Sequence, residues 1–204
     1  MNNQVILIGG FNELVELCQE NDYKIIGIID NILKNNFMGY PILGCDDDAE
    51  DLFGAYGEIP LVITPDSPKV RNILFDLYSS KGFRFATIIS KRANVSPSAT
   101  IGRGVVLQSG VNVSSASHIG DFVKLNSNAN VMHDSNIGAF TTIAPNAVVL
   151  GRVRVGQKVY LGANSTILPE LNIADETTVG AGAVVIKDIT VKGVYVGIPA
   201  KKIK

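Results

Sequence analysis

Val95-Ser-Pro-Ser-Ala-Thr-Ile101-Gly-Arg-Gly-Val-Val-Leu107-Gln-Ser-Gly-Val-Asn-Val113 sets a rhythm that the chain keeps for almost half its length. Every sixth residue is Val, Ile or Leu: Val95, Ile101, Leu107, Val113, Ile119, Leu125, Val131, Ile137, Ile143, Val149, Val155, Leu161, Ile167, Ile173, Val179, Val185 and Val191. A period of six fits neither a helix face nor simple strand alternation. It fits a parallel β-solenoid in which each flat face of a coil contributes one inward aliphatic residue. Three units make a triangular coil, so stacked neighbours are expected about 18 residues apart. A sandwich of generic Val-rich strands would not hold phase over so many intervals.

Four residues after each aliphatic stands a small or β-branched residue, among them Ala99, Ser117, Ala129, Ser135, Thr141, Ala147, Ser165 and Ala183, with Leu171 as an interruption. These small residues are expected where the chain turns inside the prism. Gly follows the aliphatic directly at Gly102, Gly120, Gly138, Gly156, Gly162 and Gly180. Glycine adopts positive φ cheaply, which makes these positions the expected corners.

The 204 residues suffice for two modest domains. Lys plus Arg number 18 and Asp plus Glu 19, a balance that points to neither nucleic acid nor an anionic membrane as partner. The opening apolar run Val5–Ile8 is too short for a signal peptide, and no stretch approaches the roughly 20 apolar residues of a membrane helix. Cys18 and Cys45 are the only cysteines and read as reduced thiols. A cytoplasmic protein without membrane insertion is expected.

The first ninety residues alternate differently. Val5–Ile8, Lys24–Ile29, Leu61–Ile63 and Phe85–Ile89 read as strands. Between them lie a helical face on Leu14, Val15, Leu17 and Cys18, a short helix capped by Asp46-Asp47-Asp48, and a helix opened by Ser67-Pro68 and stopped by Gly82. The expected fold is therefore an α/β N-terminal domain, residues 1–92, with a small parallel, Rossmann-like sheet, followed by a parallel β-helix over residues 93–204 with a C-terminal cap. Ligands of such a sheet sit at the carboxyl ends of its strands, which here carry Gly9-Gly10-Phe11, Asp30-Asn31 and Thr64. Gly-Gly lacks the third glycine of a full dinucleotide fingerprint; a tight turn that binds nothing is the competing reading.

Within the solenoid the chemistry narrows to His133 and Asp134. An imidazole beside a carboxylate is a candidate general base, the carboxylate holding the tautomer. Eighteen residues on lies Gly151, leaving room for a slim ligand, and eighteen back lies Ser115. A solvated corner histidine is the other reading. The second histidine, His118, is out of stack with His133 and reads as structural or surface. A catalytic zinc with three protein ligands has no His/Cys cluster to hold it, so no metal is expected.

Taken together, Leu125-Asn126 leading to Met132-His133-Asp134, then Val148–Gly151, Leu161-Gly162-Ala163-Asn164, Gly180-Ala181-Gly182-Ala183 and Val196-Gly197-Ile198-Pro199-Ala200-Lys201, resemble the left-handed β-helix (hexapeptide-repeat) sugar acetyltransferases. The two-domain plan is similar to the bacillosamine-pathway N-acetyltransferase and sialic-acid O-acetyltransferase group. The left hand comes from this resemblance, since parallel crossovers are otherwise right-handed.

The resemblance implies that the N-terminal domain binds a nucleotide sugar and the β-helix acetyl-CoA, as co-substrate. It makes His133 the general base, Asp134 its orienting acid and Asn126 a residue near the acceptor. Gly151, Gly162, Ala163, Ala181 and Ile198 fall on a small-residue track for pantetheine, and Thr142 stands near the acetyl group. Asp30-Asn31 matches an acidic pair that contacts the nucleotide, whereas Gly9-Gly-Phe-Asn-Glu-Leu14 departs from the family's Gly-Ala-Ser-Gly-His-Gly. The implied reaction is N-acetylation of a nucleotide-linked amino sugar, a UDP- or dTDP-4-amino-deoxy sugar, by a homotrimer with sites between solenoids. O-acetylation of a sialic acid, and a non-catalytic solenoid binding module, stay open at this level.

Overall fold

The computed structural model describes residues 3–204. It divides into two compact units that part between Ile88 and Ile89.

The first unit is a five-stranded sheet flanked by helices. Strands β1 (Gln4–Ile8), β2 (Lys24–Ile29), β3 (Asn36–Phe37), β4 (Tyr40–Gly44) and β5 (Leu61–Ile63) lie in the order β3-β4-β2-β1-β5, parallel except for the β3–β4 hairpin. The hairpin was not expected. Its turn is Met38-Gly39, both at positive φ (50° and 84°), and glycine accepts this conformation without strain. Helices α1 (Asn12–Glu20), α2 (Ala49–Tyr56) and α3 (Pro68–Ser80) complete the unit. In α3 the Ser67 hydroxyl caps Val70 N–H at 3.4 Å and Pro68 occupies the first turn, as Ser-Pro predicts. Of the expected strand Phe85–Ile89, only a bridge from Phe85 to Leu61 and the pair Ile88–Ile89 form. Two backbone bonds, Leu61 N to Arg84 O and Ala86 N to Leu61 O, both at 2.9 Å, tie this segment to β5.

The second unit is a triangular solenoid of two-residue strands. A first, six-stranded face stacks Asn94–Val95, Asn112–Val113, Asn130–Val131, Val148–Val149, Thr166–Ile167 and Val184–Val185. A second, five-stranded face stacks Thr100–Ile101, His118–Ile119, Asn136–Ile137, Arg154–Val155 and Asn172–Ile173. A third stacks Val106–Leu107, Lys124–Leu125, Thr142–Ile143, Tyr160–Leu161 and Thr178–Val179. Every step pairs residues 18 apart. The aliphatic of each strand points inward, and from Leu107 to Val185 all are buried, forming one continuous core. The small residues four positions later are buried too, so each unit inserts two side chains.

Two expectations need correction. The corner glycines Gly102, Gly120, Gly138, Gly156, Gly162 and Gly180 do not adopt positive φ. They are glycine because the next coil is too close for a side chain: a Cβ on Gly120 would lie 2.8 Å from Ile137 O, and one on Gly138 2.5 Å from Gly156 O. The left-handed residue comes two positions later, at Gly104, Gly110, Ala116, Phe122, Asn128, Asp134 and onward to Gly182, with φ between 54° and 72°.

The second correction is at the end of the repeat. Val191 is 56% exposed, and Ile189 points inward in its place. The last coil is two residues short, so that Ile173 bridges Ile189 and Thr178 pairs with Val194, each 16 residues on. An antiparallel pair, Val194–Val196 with Lys201–Lys202, then covers the open edge.

Candidate active site

In the first unit, the carboxyl ends of β1, β2 and β5 bring Gly9, Gly10, Phe11, Asp30, Asn31 and Thr64 together, and most of their polar groups are already engaged. Gly9 (φ 93°) leaves space that a Cβ would fill 2.6 Å from Thr64 Oγ1. The buried Thr64 hydroxyl meets the carbonyls of Ile8 (2.8 Å) and Gly9 (2.9 Å) and donates there. Gly10 N–H donates to Asp30 Oδ2 at 2.9 Å, and Asp30 Oδ1 accepts from Ile32 N (2.8 Å) and Leu33 N (2.9 Å). Partial burial alone would raise the Asp30 pKa, but these three amides and the Lys34 charge leave it below the usual carboxylate value. Leu33 and Phe37, from the chain following β2, lie against Gly10, where a Cβ would collide with Leu33 Cδ1 and come within 3.3 Å of the Phe37 ring. Phe11 precedes α1 at its N-cap and is 36% exposed.

Asn31 is tied to Asp46 twice: its Nδ2 donates to Oδ2 and its Oδ1 accepts from Asp46 N, both at 2.8 Å. The buried Tyr78 donates to Asp46 Oδ1 at 2.7 Å. The sequence reading had Asp46 as a helix cap only. Under the β5 loop, Arg71 is buried and donates to Pro65 O (3.0 Å) and Asp66 O (2.9 Å). Burial lowers its pKa to about 10 against the pull of Asp66. Cys18 and Cys45 are free thiols, and burial pushes Cys18 up to about 12, which makes it a poor nucleophile.

In the second unit, His133 stands at the corner from the first face to the second. Its Nδ1 lies 2.8 Å from Asp134 Oδ2. Asp134 is the left-handed corner residue itself (φ 58°), a conformation that Asp and Asn tolerate better than most residues. One coil on, a Cβ at Gly151 would sit 2.7 Å from both Cε1 and Nε2 of His133. Gly151 is therefore glycine because the imidazole occupies that space. Arg152 N bonds His133 O at 2.9 Å, while the buried Gly151 N–H donates to no acceptor among the described residues.

The remaining expected positions divide. Ala163 and Ala181 stack in one column at the corner from the third face to the first, with buried Asn126 at the same corner. Gly162 is buried there, and a Cβ on it would lie 2.6 Å from Ala181 N, so coil packing alone demands glycine. Ile198 is 76% exposed in the closing loop. Thr142 is 0% exposed on the third face and presents no surface.

Within one chain the His133–Gly151 column and the Asn126–Ala163–Ala181 corner thus flank the first face without meeting. The outward side of that face changes character at the level of His133. Asn94, Asn112 and Asn130 form an amide ladder, Nδ2 of the first two donating at 2.9 Å to the next Oδ1; Val148, Thr166 and Val184 continue the column beyond it, with Leu150 and Leu168 beside them. Among the described residues, no His/Cys/Asp/Glu group is arranged to hold a metal, and no helix is long and apolar enough to cross a membrane.

No protein-family model matches the chain, and no curated protein matches its sequence. Solved structures do match. PerB from Caulobacter crescentus, solved with CoA and GDP-perosamine, superposes with a TM-score of 0.91 at 30% identity over 98% of this chain and 96% of its own. The acetyltransferase domain of PglB from Neisseria gonorrhoeae FA1090, solved with acetyl coenzyme A, gives 0.92 at 27% identity over 100% of both chains. WeeI from Acinetobacter baumannii AYE gives 0.86 at 25% identity over 98% of this chain and 99% of its own.

Proposed function

The chain belongs to the left-handed β-helix, hexapeptide-repeat sugar N-acetyltransferases, and we propose that it moves the acetyl group of acetyl-CoA directly to the amine of a nucleotide-linked amino sugar, with His133 as general base. The observation that carries this reading is the pairing of His133 Nδ1 with Asp134 at 2.8 Å while Nε2 lies over Gly151. The carboxylate keeps the proton on Nδ1, so Nε2 offers its lone pair and the resulting imidazolium is stabilised.

The acceptor nitrogen attacks the thioester carbonyl carbon as Nε2 takes its proton. The Gly151 N–H, a backbone donor one coil from the base with no acceptor among the described residues, stabilises the oxyanion. Collapse of the tetrahedral intermediate breaks the C–S bond, and the imidazolium returns the proton to the departing CoA sulfur. The pantetheine arm follows Gly151, Gly162, Ala163, Ala181 and Ile198, with the aliphatic half of the first face as its apolar floor. Buried Thr142 reaches the acetyl group only if the third face opens.

Residues 1–92 bind the nucleotide through Gly9, Gly10, Phe11, Asp30, Asn31 and Thr64, and Asn126 lies near the acceptor. A UDP- or dTDP-linked 4-amino-deoxy sugar is the expected acceptor, and GDP-linked sugars join the panel because PerB was solved with GDP-perosamine. The separation of the two corners in one chain supports a homotrimer in which a neighbouring solenoid closes each cleft.

Thiol release from acetyl-CoA across UDP-, dTDP- and GDP-linked 4-amino sugars and free sialic acids tests the reading. Turnover with a nucleotide-linked amino sugar is expected. Turnover with sialic acid alone, or with no acceptor in the panel, contradicts it.

A further inference from the structure

Arg154 differs from the other arginines of the solenoid ladders. Arg103 is paired with Asp121 (3.0 Å) and Arg152 with Glu170 (2.6 Å), each one coil on, so their charges tie adjacent coils together. Arg154 has Asn136 below it and Asn172 above it in its ladder, and it forms no ion pair among the described residues. Its guanidinium is exposed and does nothing for coil stacking. It borders a groove of about 520 Å³ on the second face, lined by Ala116, His118, Asp134, Ser135, Asn136 and Arg154.

Three features of the groove point the same way. It begins at Asp134, the partner of His133, so a ligand within it lies next to the reacting centre. Its polar groups include the Arg154 fork, the Asn136 amide and His118, whose Nδ1 lies 2.6 Å from Thr100 Oγ1 and whose Nε2, without a partner among the described residues, is a donor when the Thr100 hydroxyl donates to Nδ1. The carboxylate at its edge, Asp134, is turned toward His133. Such a set fits an anion with several oxygens, and a guanidinium takes two phosphate oxygens at once.

We propose that this groove binds the diphosphate of the nucleotide-linked acceptor, with Arg154 as its principal contact, so that the sugar amine projects past Asp134 toward His133 Nε2. The proposal rests on the acceptor class above and adds a binding site on the solenoid itself. Ladder spacing supports the reach, since Arg154 lies one coil, about 4.8 Å, from Asn136, which follows His133 by three residues.

The test compares wild type, Arg154→Ala and Arg154→Lys on a nucleotide-linked 4-amino sugar and on the methyl glycoside of the same sugar. In Arg154→Ala the ratio of kcat/KM for the two substrates should fall about tenfold, through KM of the nucleotide-linked one, and Arg154→Lys should restore part of it. Binding of inorganic pyrophosphate, followed by 31P line broadening with CoA at saturation, should weaken in Arg154→Ala. A ratio that moves less than threefold, or pyrophosphate binding equal in both proteins, overturns the proposal. If wild type acetylates neither sugar, the acceptor reading fails, and the pyrophosphate measurement alone decides the groove.

Discussion

The imidazole of His133 fills the space that a side chain at Gly151 would need, 18 residues on and one coil away: a Cβ there would be 2.7 Å from Nε2. The two residues therefore constrain each other. Gly151→Ala should displace the ring from its place beside Asp134 and lower kcat by an order of magnitude or more, while the melting temperature shifts little because the ring is at a corner and can swing outward. Unchanged turnover in this variant would show that the ring position is irrelevant to the chemistry.

Asp134 combines a backbone role with a charge. Asparagine also tolerates left-handed φ, so Asp134→Asn should keep the corner intact yet lose the carboxylate that stabilises the protonated imidazole. A fall in kcat of roughly tenfold or more, smaller than that of removing His133, is expected together with wild-type circular dichroism. Loss of folded protein instead would assign Asp134 to the corner alone.

Hydroxyls inside the prism separate into two kinds. Those of Ser117, Ser135 and Thr141 each donate at 2.9 Å to a carbonyl 15 residues on. Those of Ser165 and Thr177 are buried without a hydrogen-bond partner among the described residues. Ser165→Ala and Thr177→Val should each raise stability by about 1 kcal/mol, and Ser135→Ala should lower it by about 1–3 kcal/mol because Leu150 O loses its donor. Chemical denaturation of the three variants checks the opposite signs.

Asp30 acts as a brace between two turns, and its behaviour with pH follows. Its folded pKa lies below the ordinary value, so the ionised group stabilises the fold at neutral pH. That contribution fades as pH falls from about 4, the unfolded carboxylate's value, through the lower folded one. Asp30→Asn should melt below wild type at pH 7, with the gap narrowing toward pH 3. A gap independent of pH would contradict the brace.

These particulars show what the sequence made legible. The inward column was plain because each face admits one class of side chain: Val or Ile on the first, Ile or Val on the second, and Leu, Ile or Val on the third. His133 over Gly151 followed from the same 18-residue count. The left-handed corners were concealed, because Phe122, Phe140, Arg152 and Lys158 hold the same conformation as Asn128 and Asp134; neighbouring coils impose it where propensity would not. The β3–β4 hairpin was masked by a two-residue edge strand. The engagement of Asp30 and Thr64 with backbone groups depends on side-chain rotation, which no spacing reveals. Arg154 could have been noticed by applying the ladder count to charges, which pairs Arg103 with Asp121 and leaves Arg154 between asparagines.

The central claim is that His133 removes the acceptor's proton. The most direct measurement is kcat of His133→Ala with acetyl-CoA and a nucleotide-linked amino sugar, alongside its melting temperature and CoA affinity. The account predicts a loss of about 10²–10⁴-fold in kcat with fold and CoA binding retained, since the side chain is 43% exposed at a corner. Turnover close to wild type in a folded His133→Ala protein would contradict it.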